Sequence, residues 1–92
     1  MDEYMSTTSY ATTKDNTIYE AHVSRERNEV TGLYEVTGVI TITNAEKRLY
    51  KRAHRLRIKD IATKELANNT QNLMMESFES WIIKTIEEME NL

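Results

Sequence analysis

The chain has 92 residues and no cysteine, which predicts one small domain and excludes a disulfide framework and a thiolate metal site. Its 12 cationic and 15 anionic side chains give a net charge of −3, and no apolar run approaches the length of a membrane span. The composition, rich in Asn, Lys, Glu and Thr with 2 Gly and 0 Pro, is typical of small proteins from AT-rich bacterial or phage genomes. We therefore expect a soluble cytoplasmic protein, in the host cytoplasm if a phage encodes it.

The charges are distributed in three blocks along the chain. Residues 1–46 carry eight carboxylates against three cations, residues 47–64 carry eight cations against one carboxylate, and residues 65–92 carry six carboxylates against one cation. The blocks therefore have charges of −5, +7 and −5. Such a partition predicts either pairing between the blocks or an anionic partner.

The N-terminal segment is polar. Residues 1–16 are rich in Ser, Thr, Asp and Asn, which predicts a flexible tail preceding a single α+β domain over residues 17–92. The alternation of Tyr4, Ser6, Thr8 and Tyr10 leaves an edge strand as the alternative.

Two strands follow the predicted tail. Over residues 17–28, period-two spacing places Tyr19, Ala21 and Val23 on one face. A turn at residues 29–32 leads to a strand over residues 33–43. Its core face would hold four large side chains, Tyr34, Val36, Ile40 and Ile42. Gly38 lies in the middle of this second strand, where glycine indicates a bulge or a bulky neighbour overhead.

Residues 47–59 fit two structures. As a helix, they would begin at an Asn44 cap and gather apolar residues on one side. As a strand, they would direct Tyr50, Leu56 and Ile58 to the core together with Arg52 and His54. The outer face would then hold Lys47, Lys51, Arg55, Arg57 and Lys59.

The strand is favoured because a two-stranded ribbon is marginally stable and a third strand makes the sheet viable. A three-residue loop at residues 44–46 would place Ile40 opposite Tyr50 and Tyr34 opposite Leu56. The same register would place Glu35 opposite Arg55 on the outer face.

Two helices complete the predicted fold. Asp60 would cap a short helix that ends at Asn68 and Asn69, and Thr70 would cap a second helix over residues 71–91. The second helix has an apolar stripe at i, i+3 and i+4 spacing, formed by Met75, Phe78, Ile82, Ile86 and Met89. The predicted fold class is α+β: an antiparallel three-stranded β-meander packed against a C-terminal α-helix, with a short helix between them.

Few residues in the sequence are suited to catalysis. His22 and His54 are the only imidazoles and lie far apart in the sequence, and the two glycines form no phosphate-binding loop. We therefore expect a protein that is not an enzyme and that holds no metal and no cofactor.

The basic stretch over residues 47–59 is the candidate functional segment. Its candidate contacts to a partner protein or a nucleic acid are Lys47, Tyr50, Lys51, Arg55, Arg57 and Lys59. Lys and Arg on one face would bind phosphates, and Tyr50 could stack on an unpaired base. The same cations could instead protect an edge strand from aggregation or pair with acidic residues of the chain. The sequence thus predicts a small non-enzymatic binding or regulatory protein acting on a macromolecular partner, with protein favoured over or equal to nucleic acid.

A homodimer is a further expectation. Trp81 and Ile83 lie off the main apolar stripe of the last helix, and Met74 widens it. These three residues are the candidate dimer interface, since exposed apolar patches mark such contacts. In this alternative the chain is a structural oligomerisation module whose charge blocks pair between subunits.

Overall fold

The computed structural model describes residues 5–91, which form four antiparallel strands followed by one helix. The strands are β1 (Met5–Lys14), β2 (Thr17–Arg27), β3 (Tyr34–Asn44) and β4 (Leu49–Ile61), and the helix is α1 (Lys64–Glu90). Each strand pairs with its neighbour in the sequence, so the sheet order is β1-β2-β3-β4. The α+β class and the packing of a meander on a C-terminal helix are confirmed.

The sheet has four strands, and the predicted number of three is wrong. The extra strand, β1, lies in the segment expected to be a tail, and it pairs with β2 from Met5 opposite Glu26 to Lys14 opposite Thr17. Asp15 and Asn16 connect the two strands and have positive φ angles of 51° and 63°. A two-residue turn with positive φ at both positions has a backbone twist that matches the twist of the strands it joins. Asp and Asn tolerate positive φ angles, so they suit this turn. Residues 1–4 of the predicted tail lie outside the described residues.

The core lies between α1 and the sheet face that β2 and β3 present to it. The predicted inward residues Tyr19, Ala21, Val23, Val36 and Ile40 are all buried. The helix contributes the opposite side of this core through Ala67, Met74, Met75, Phe78 and Ile82. The predicted strand faces and the helix residues Met75, Phe78 and Ile82 are therefore confirmed as core. Met89 was predicted in the buried stripe but is 57% exposed, and Met74, predicted at a dimer interface, is buried instead.

Gly38 is the point of closest approach between helix and sheet. A methyl group placed on Gly38 would lie 2.5 Å from the Sδ atom of Met74 and 2.6 Å from Cε2 of Phe78. Both separations are below the contact distance of carbon and sulfur atoms, so a larger residue would displace the helix side chains. The bulky neighbour expected above Gly38 is confirmed.

The two predicted helices are one continuous helix. Thr63 caps it, and its hydroxyl oxygen accepts a hydrogen bond from the backbone N–H of Leu66 at 3.1 Å. Thr70, predicted as a cap, instead lies inside the helix and donates its hydroxyl proton to the Leu66 carbonyl at 2.8 Å. Asn residues in a helix cost only about 0.7 kcal/mol each. Burial of Ala67 and Gln71 against the sheet outweighs that cost and carries the helix through the predicted break.

Gln71 connects the helix to two strands. Its side chain is 4% exposed, and Nε2 donates to the Ser6 carbonyl of β1 and to the Val23 carbonyl of β2, both at 3.1 Å. Buried amides need such partners because an unpaired donor is costly. The helix therefore holds the edge strand β1 in place through a polar contact as well as through apolar packing.

The strand interpretation of the basic stretch is confirmed, although its register differs from the prediction. Asn44 pairs with Leu49 across a four-residue turn, and Ile40 lies opposite His54. The Asn44 side chain shapes this turn, since Oδ1 accepts from the Lys47 N–H at 3.1 Å and Nδ2 donates to the Thr17 hydroxyl at 3.0 Å. The predicted pairs of Ile40 with Tyr50 and Tyr34 with Leu56 are wrong because they assumed a shorter loop and an unbroken ladder.

Candidate functional site

β4 is an edge strand with little cover. It pairs with β3 along one side, and no strand among residues 5–91 pairs with its other side. Every residue of β4 is exposed except half-buried Ala53 and buried Ile61. The helix packs mainly on β2 and β3 and least on β4, so both faces of this strand are accessible.

A bulge at Ala53 decides which side chains of β4 share a face. Ile40 lies opposite His54, whereas the next residue, Thr41, lies opposite Arg52, and this leaves Ala53 as the extra residue. Directly opposed residues share a face of the sheet. Since Ile40 is buried under α1, His54 is on the helix side and Arg52 is on the outer side.

The bulge overturns part of the predicted face assignment. Lys51 pairs with Ile42 and therefore lies on the helix side, not on the outer face. Tyr50 and Arg52 pair with Thr43 and Thr41 and therefore lie on the outer face, not toward the core. A one-residue insertion in one strand reverses every side chain that precedes it, which is the physical reason for this error.

The outer face of β4 carries a row of three arginines. Arg52, Arg55 and Arg57 lie opposite Thr41, Val39 and Thr37 of β3. Tyr50 extends the row at its N-terminal end and is 67% exposed. We call these four residues, Tyr50, Arg52, Arg55 and Arg57, the arginine row.

One arginine of the row is engaged within the chain. Arg57 donates from Nε to the Glu35 carboxylate of the neighbouring strand. This hydrogen bond from Arg57 holds the pKa of Glu35 below its ordinary value. Glu35 was predicted opposite Arg55, and this pair is wrong because Arg55 lies opposite Val39. Arg57 lies opposite Thr37 and reaches Glu35 diagonally, two residues along β3.

The other cations of residues 47–59 form no ion pair within residues 5–91. Arg57 pairs with Glu35, and the pair of Lys14 with Glu90 and the contact of His22 with Glu20 involve no residue of this stretch. The six cations outside these pairs are Lys47, Arg48, Lys51, Arg52, Arg55 and Lys59. Glu35 of β3, which also lies in the field of Lys59, is therefore the acidic residue that pairs with this stretch, and six of its seven cations form no ion pair with the acidic helix or the other strands over residues 5–91.

The helix side of β4 carries three partly exposed aliphatic side chains in addition to Lys51 and His54. Leu49, Leu56 and Ile58 are 44%, 47% and 39% exposed on this side. His54 lies among them and packs edge-on against Trp81 of α1, with ring centroids 4.7 Å apart. Over residues 55–58 the strand thus presents guanidinium groups on one face and aliphatic side chains on the other, whereas Lys51 adds a cation to the helix side before the bulge.

Two lysines stand beside an open groove at the start of β4. Lys47 and Lys51 line it together with Ile42, Leu49 and Met89, and its volume is about 250 Å³. The cations at its rim extend the positive potential of β4 from the outer face around to the helix side.

The structure does not bring the candidate dimer residues into one patch. Met74 is 5% exposed and packs over Gly38, so it is a core residue and cannot form a surface contact in this fold. Trp81 is half-buried and contacts His54. Ile83 is exposed, but two residues of helix turn it through about 200° from Trp81.

The part of the chain that the structure describes shows no candidate metal site. Within residues 5–91 there is no group of three His, Asp or Glu side chains that could hold a metal ion. His22 is bound on the outer sheet face by Ser9 at 2.9 Å and by Glu20 at 3.1 Å. Over the same residues, α1 lacks the apolar length required of a membrane-spanning helix.

Sequence reasoning missed Arg52 as an outer-face residue and the bulge that places it there. Lys51 and Arg52 are both cations, so a cation lies on the outer face whichever of the two residues points outward, and the charge pattern cannot decide between the two assignments. The one available signal is the small residue Ala53, where strict alternation of large side chains is interrupted.

Comparison with known proteins gives no relative. No protein-family model matches the chain, and no curated protein or solved structure matches it.

Proposed function

We propose that the chain is a small non-enzymatic binding protein that recognises an acidic surface of a partner protein through β4. The observation that carries this proposal is the set of six cations on β4 and its preceding turn that have no ion pair within residues 5–91. A net charge of −3 makes this concentration of positive charge local. Uncompensated local charge of this kind steers an oppositely charged partner to one place.

A protein partner is favoured over a nucleic acid by the surroundings of the arginine row. The outer face of the sheet also carries Glu35 on β3, the strand beside β4, and Glu20 and Glu26 on β2. A phosphate backbone that crossed the sheet would meet these carboxylates and be repelled. An acidic protein segment can be confined to β4, and the aliphatic side chains on the other face of β4 give it apolar contacts.

A nucleic acid is the second candidate partner, and Tyr50 is the observation that favours it. This ring is exposed and lies next to Arg52 at the N-terminal end of the arginine row. Aromatic side chains next to cations are the usual components of single-strand binding surfaces. A short single strand that follows β4, rather than crossing the sheet, would avoid most of the carboxylates.

A charge-reversal variant tests the proposed function. Arg52→Glu with Arg55→Glu removes the outer cations that have no intramolecular pair. Arg27→Glu with Lys84→Glu makes the same change in net charge at exposed positions elsewhere. Both variants should keep the wild-type circular dichroism spectrum, because exposed charges contribute little to stability.

The readout is affinity capture from native lysate with and without nuclease, together with a low-salt gel shift on single-stranded and duplex DNA. The proposal expects a protein captured by wild type and by the Arg27 and Lys84 variant, lost with the β4 variant, and insensitive to nuclease. Capture that disappears with nuclease, accompanied by a gel shift, would replace it with the nucleic-acid candidate. Equal capture by both variants would refute a role for β4. Sedimentation of the wild type as a dimer that the β4 variant splits would support the oligomerisation module.

A further inference from the structure

We infer that β4 binds its partner by strand addition: an extended acidic segment of a partner protein pairs with the free edge of β4. This inference rests on the proposed function and adds the form of the ligand. The segment would alternate acidic and aliphatic residues, the acidic ones over the arginine row and the aliphatic ones over the helix side of β4.

The first step is the free edge itself. β4 is 13 residues long, and along residues 5–91 its outer backbone groups have no partner strand. Residues 54–58 pair regularly with β3 between the two register shifts, so this stretch is the straight part of the edge. An exposed row of backbone donors and acceptors is a template for another strand.

The second step is the difference between the two faces of β4. Successive residues of an added strand would alternate between these faces, as they do in any strand. Those on the outer face would meet Arg55 and Arg57, and those on the other face would meet Leu56 and Ile58. Opposite charges and aliphatic pairs across neighbouring strands are stabilising. The two faces together therefore specify an alternating acidic and aliphatic ligand.

The third step concerns which strands β4 excludes. Pairing of β4 with β4 of a second copy would place cations against cations, which is destabilising. The other edge of the sheet, β1, carries mostly hydroxyl side chains and Lys14, and so has no charge pattern that would select an acidic strand. The β4 edge thus repels a second copy of itself and attracts an acidic segment. The β1 edge lacks this charge pattern and serves as an internal control.

A synthetic octapeptide of alternating Glu and Val, acetylated and amidated, is the probe. Its binding to the full chain at pH 7 can be followed by the fluorescence of Trp81, the single tryptophan, which contacts His54 on the helix side of β4. A Lys–Val peptide of the same length is the charge control. Two further Glu–Val peptides are N-methylated, one at every Val amide and the other at every Glu amide. In an added strand only one of these two sets of N–H groups points toward β4, so only one of the two peptides lacks the donors to β4.

The expected result is saturable binding of the Glu–Val peptide and no binding of the Lys–Val peptide. One N-methylated peptide should bind more than about tenfold more weakly, since it loses several backbone hydrogen bonds, and the other should bind nearly as well as the parent. Hydrogen exchange should show new protection of alternate β4 amides and unchanged exchange of the β1 amides.

Different results would overturn different claims. If both N-methylated peptides bind as tightly as the parent, or if β4 amides gain no protection, the strand-addition inference is wrong, while charge recognition by β4 stands. If the Lys–Val peptide binds as well as the Glu–Val peptide, the proposed recognition of an acidic partner is itself wrong. Absence of any Glu–Val binding at millimolar peptide would reject strand addition of this chemistry.

Discussion

Gly38 offers the sharpest test of how the helix lies on the sheet. The change Gly38→Ala adds one methyl group 2.5 Å from Sδ of Met74 and 2.6 Å from Cε2 of Phe78. The Met74 thioether is the flexible end of a side chain and can move aside. The Phe78 ring is rigid and can move only by rotation within the core or by displacement of α1.

The change in the free energy of unfolding caused by Gly38→Ala is the difference between two opposing effects. Overpacking a core by a methyl group costs about 1–3 kcal/mol. Replacing glycine inside a strand recovers about 0.5–1 kcal/mol of backbone entropy. The difference between these two ranges is about 0–2.5 kcal/mol, and its midpoint of about 1 kcal/mol lowers the melting temperature of a domain this size by roughly 4–8 °C.

The assay is thermal unfolding followed by circular dichroism, with Thr37→Ala as the control. Thr37 lies next to Gly38 but faces away from the helix, opposite Arg57, so this change should cost less than about 0.5 kcal/mol. Phe78→Leu removes the ring atoms closest to the new methyl group. The cost of Gly38→Ala should therefore be smaller in the Phe78→Leu background than in the wild type. A Gly38→Ala variant that melts at or above the wild-type temperature, with no coupling to Phe78→Leu, would refute the placement of α1 over Gly38.

Three further predictions address the faces of β3, the polar link to β1 and the ion pair of β4. Ile40→Asp should unfold the chain at 25 °C because it buries an unpaired charge, whereas Thr41→Asp on the outer face should stay folded; equal melting temperatures would contradict the assigned faces. Gln71→Leu should cost about 1–3 kcal/mol in denaturant unfolding, because the Ser6 and Val23 carbonyls lose the Gln71 donor, although Val23 still accepts from the Thr8 hydroxyl; unchanged stability would contradict a stabilising role for this link. The pKa of Glu35 is lowered by Arg57, so this pair stabilises the fold above the unfolded pKa near 4.5 and the contribution is lost as the pH falls through the lower folded pKa. The wild type should therefore exceed Arg57→Gln in melting temperature at pH 7 by more than it does at pH 3, and an equal difference would contradict the assignment.

The core and the strand nature of β4 could be predicted from the sequence because strong periodicity specifies both. Tyr19, Ala21 and Val23 alternate with polar residues, and Phe78 and Ile82 recur at helical spacing, so the buried faces follow directly. The cations of β4 were recognised from composition alone, since no other stretch has comparable charge.

The extra strand was the less favoured of two predictions for its segment, although the alternation of Ser6, Thr8 and Tyr10 indicated it, and the face of Lys51 was predicted wrongly. β1 contains few aliphatic residues, and its pairing depends on the backbone, on the Asp15 and Asn16 turn and on the hydrogen bond from Gln71 to Ser6. Composition rules count side-chain hydrophobicity and therefore assign such a segment to a tail. The bulge at Ala53 depends on the register against β3, which is a tertiary property that local alternation does not contain.

The strand order β1-β2-β3-β4 also has a consequence for how the chain acquires its fold. Each strand pairs with the one next to it in the sequence, through connections of two to six residues, and only a two-residue link separates β4 from α1. Every step of sheet assembly therefore closes a short loop, which has a low entropic cost. The long-range step is the docking of α1 across the completed hairpins. Chains fold quickly when most contacts join elements that are neighbours in the sequence. This sheet can therefore assemble by successive addition of hairpins on the order of milliseconds.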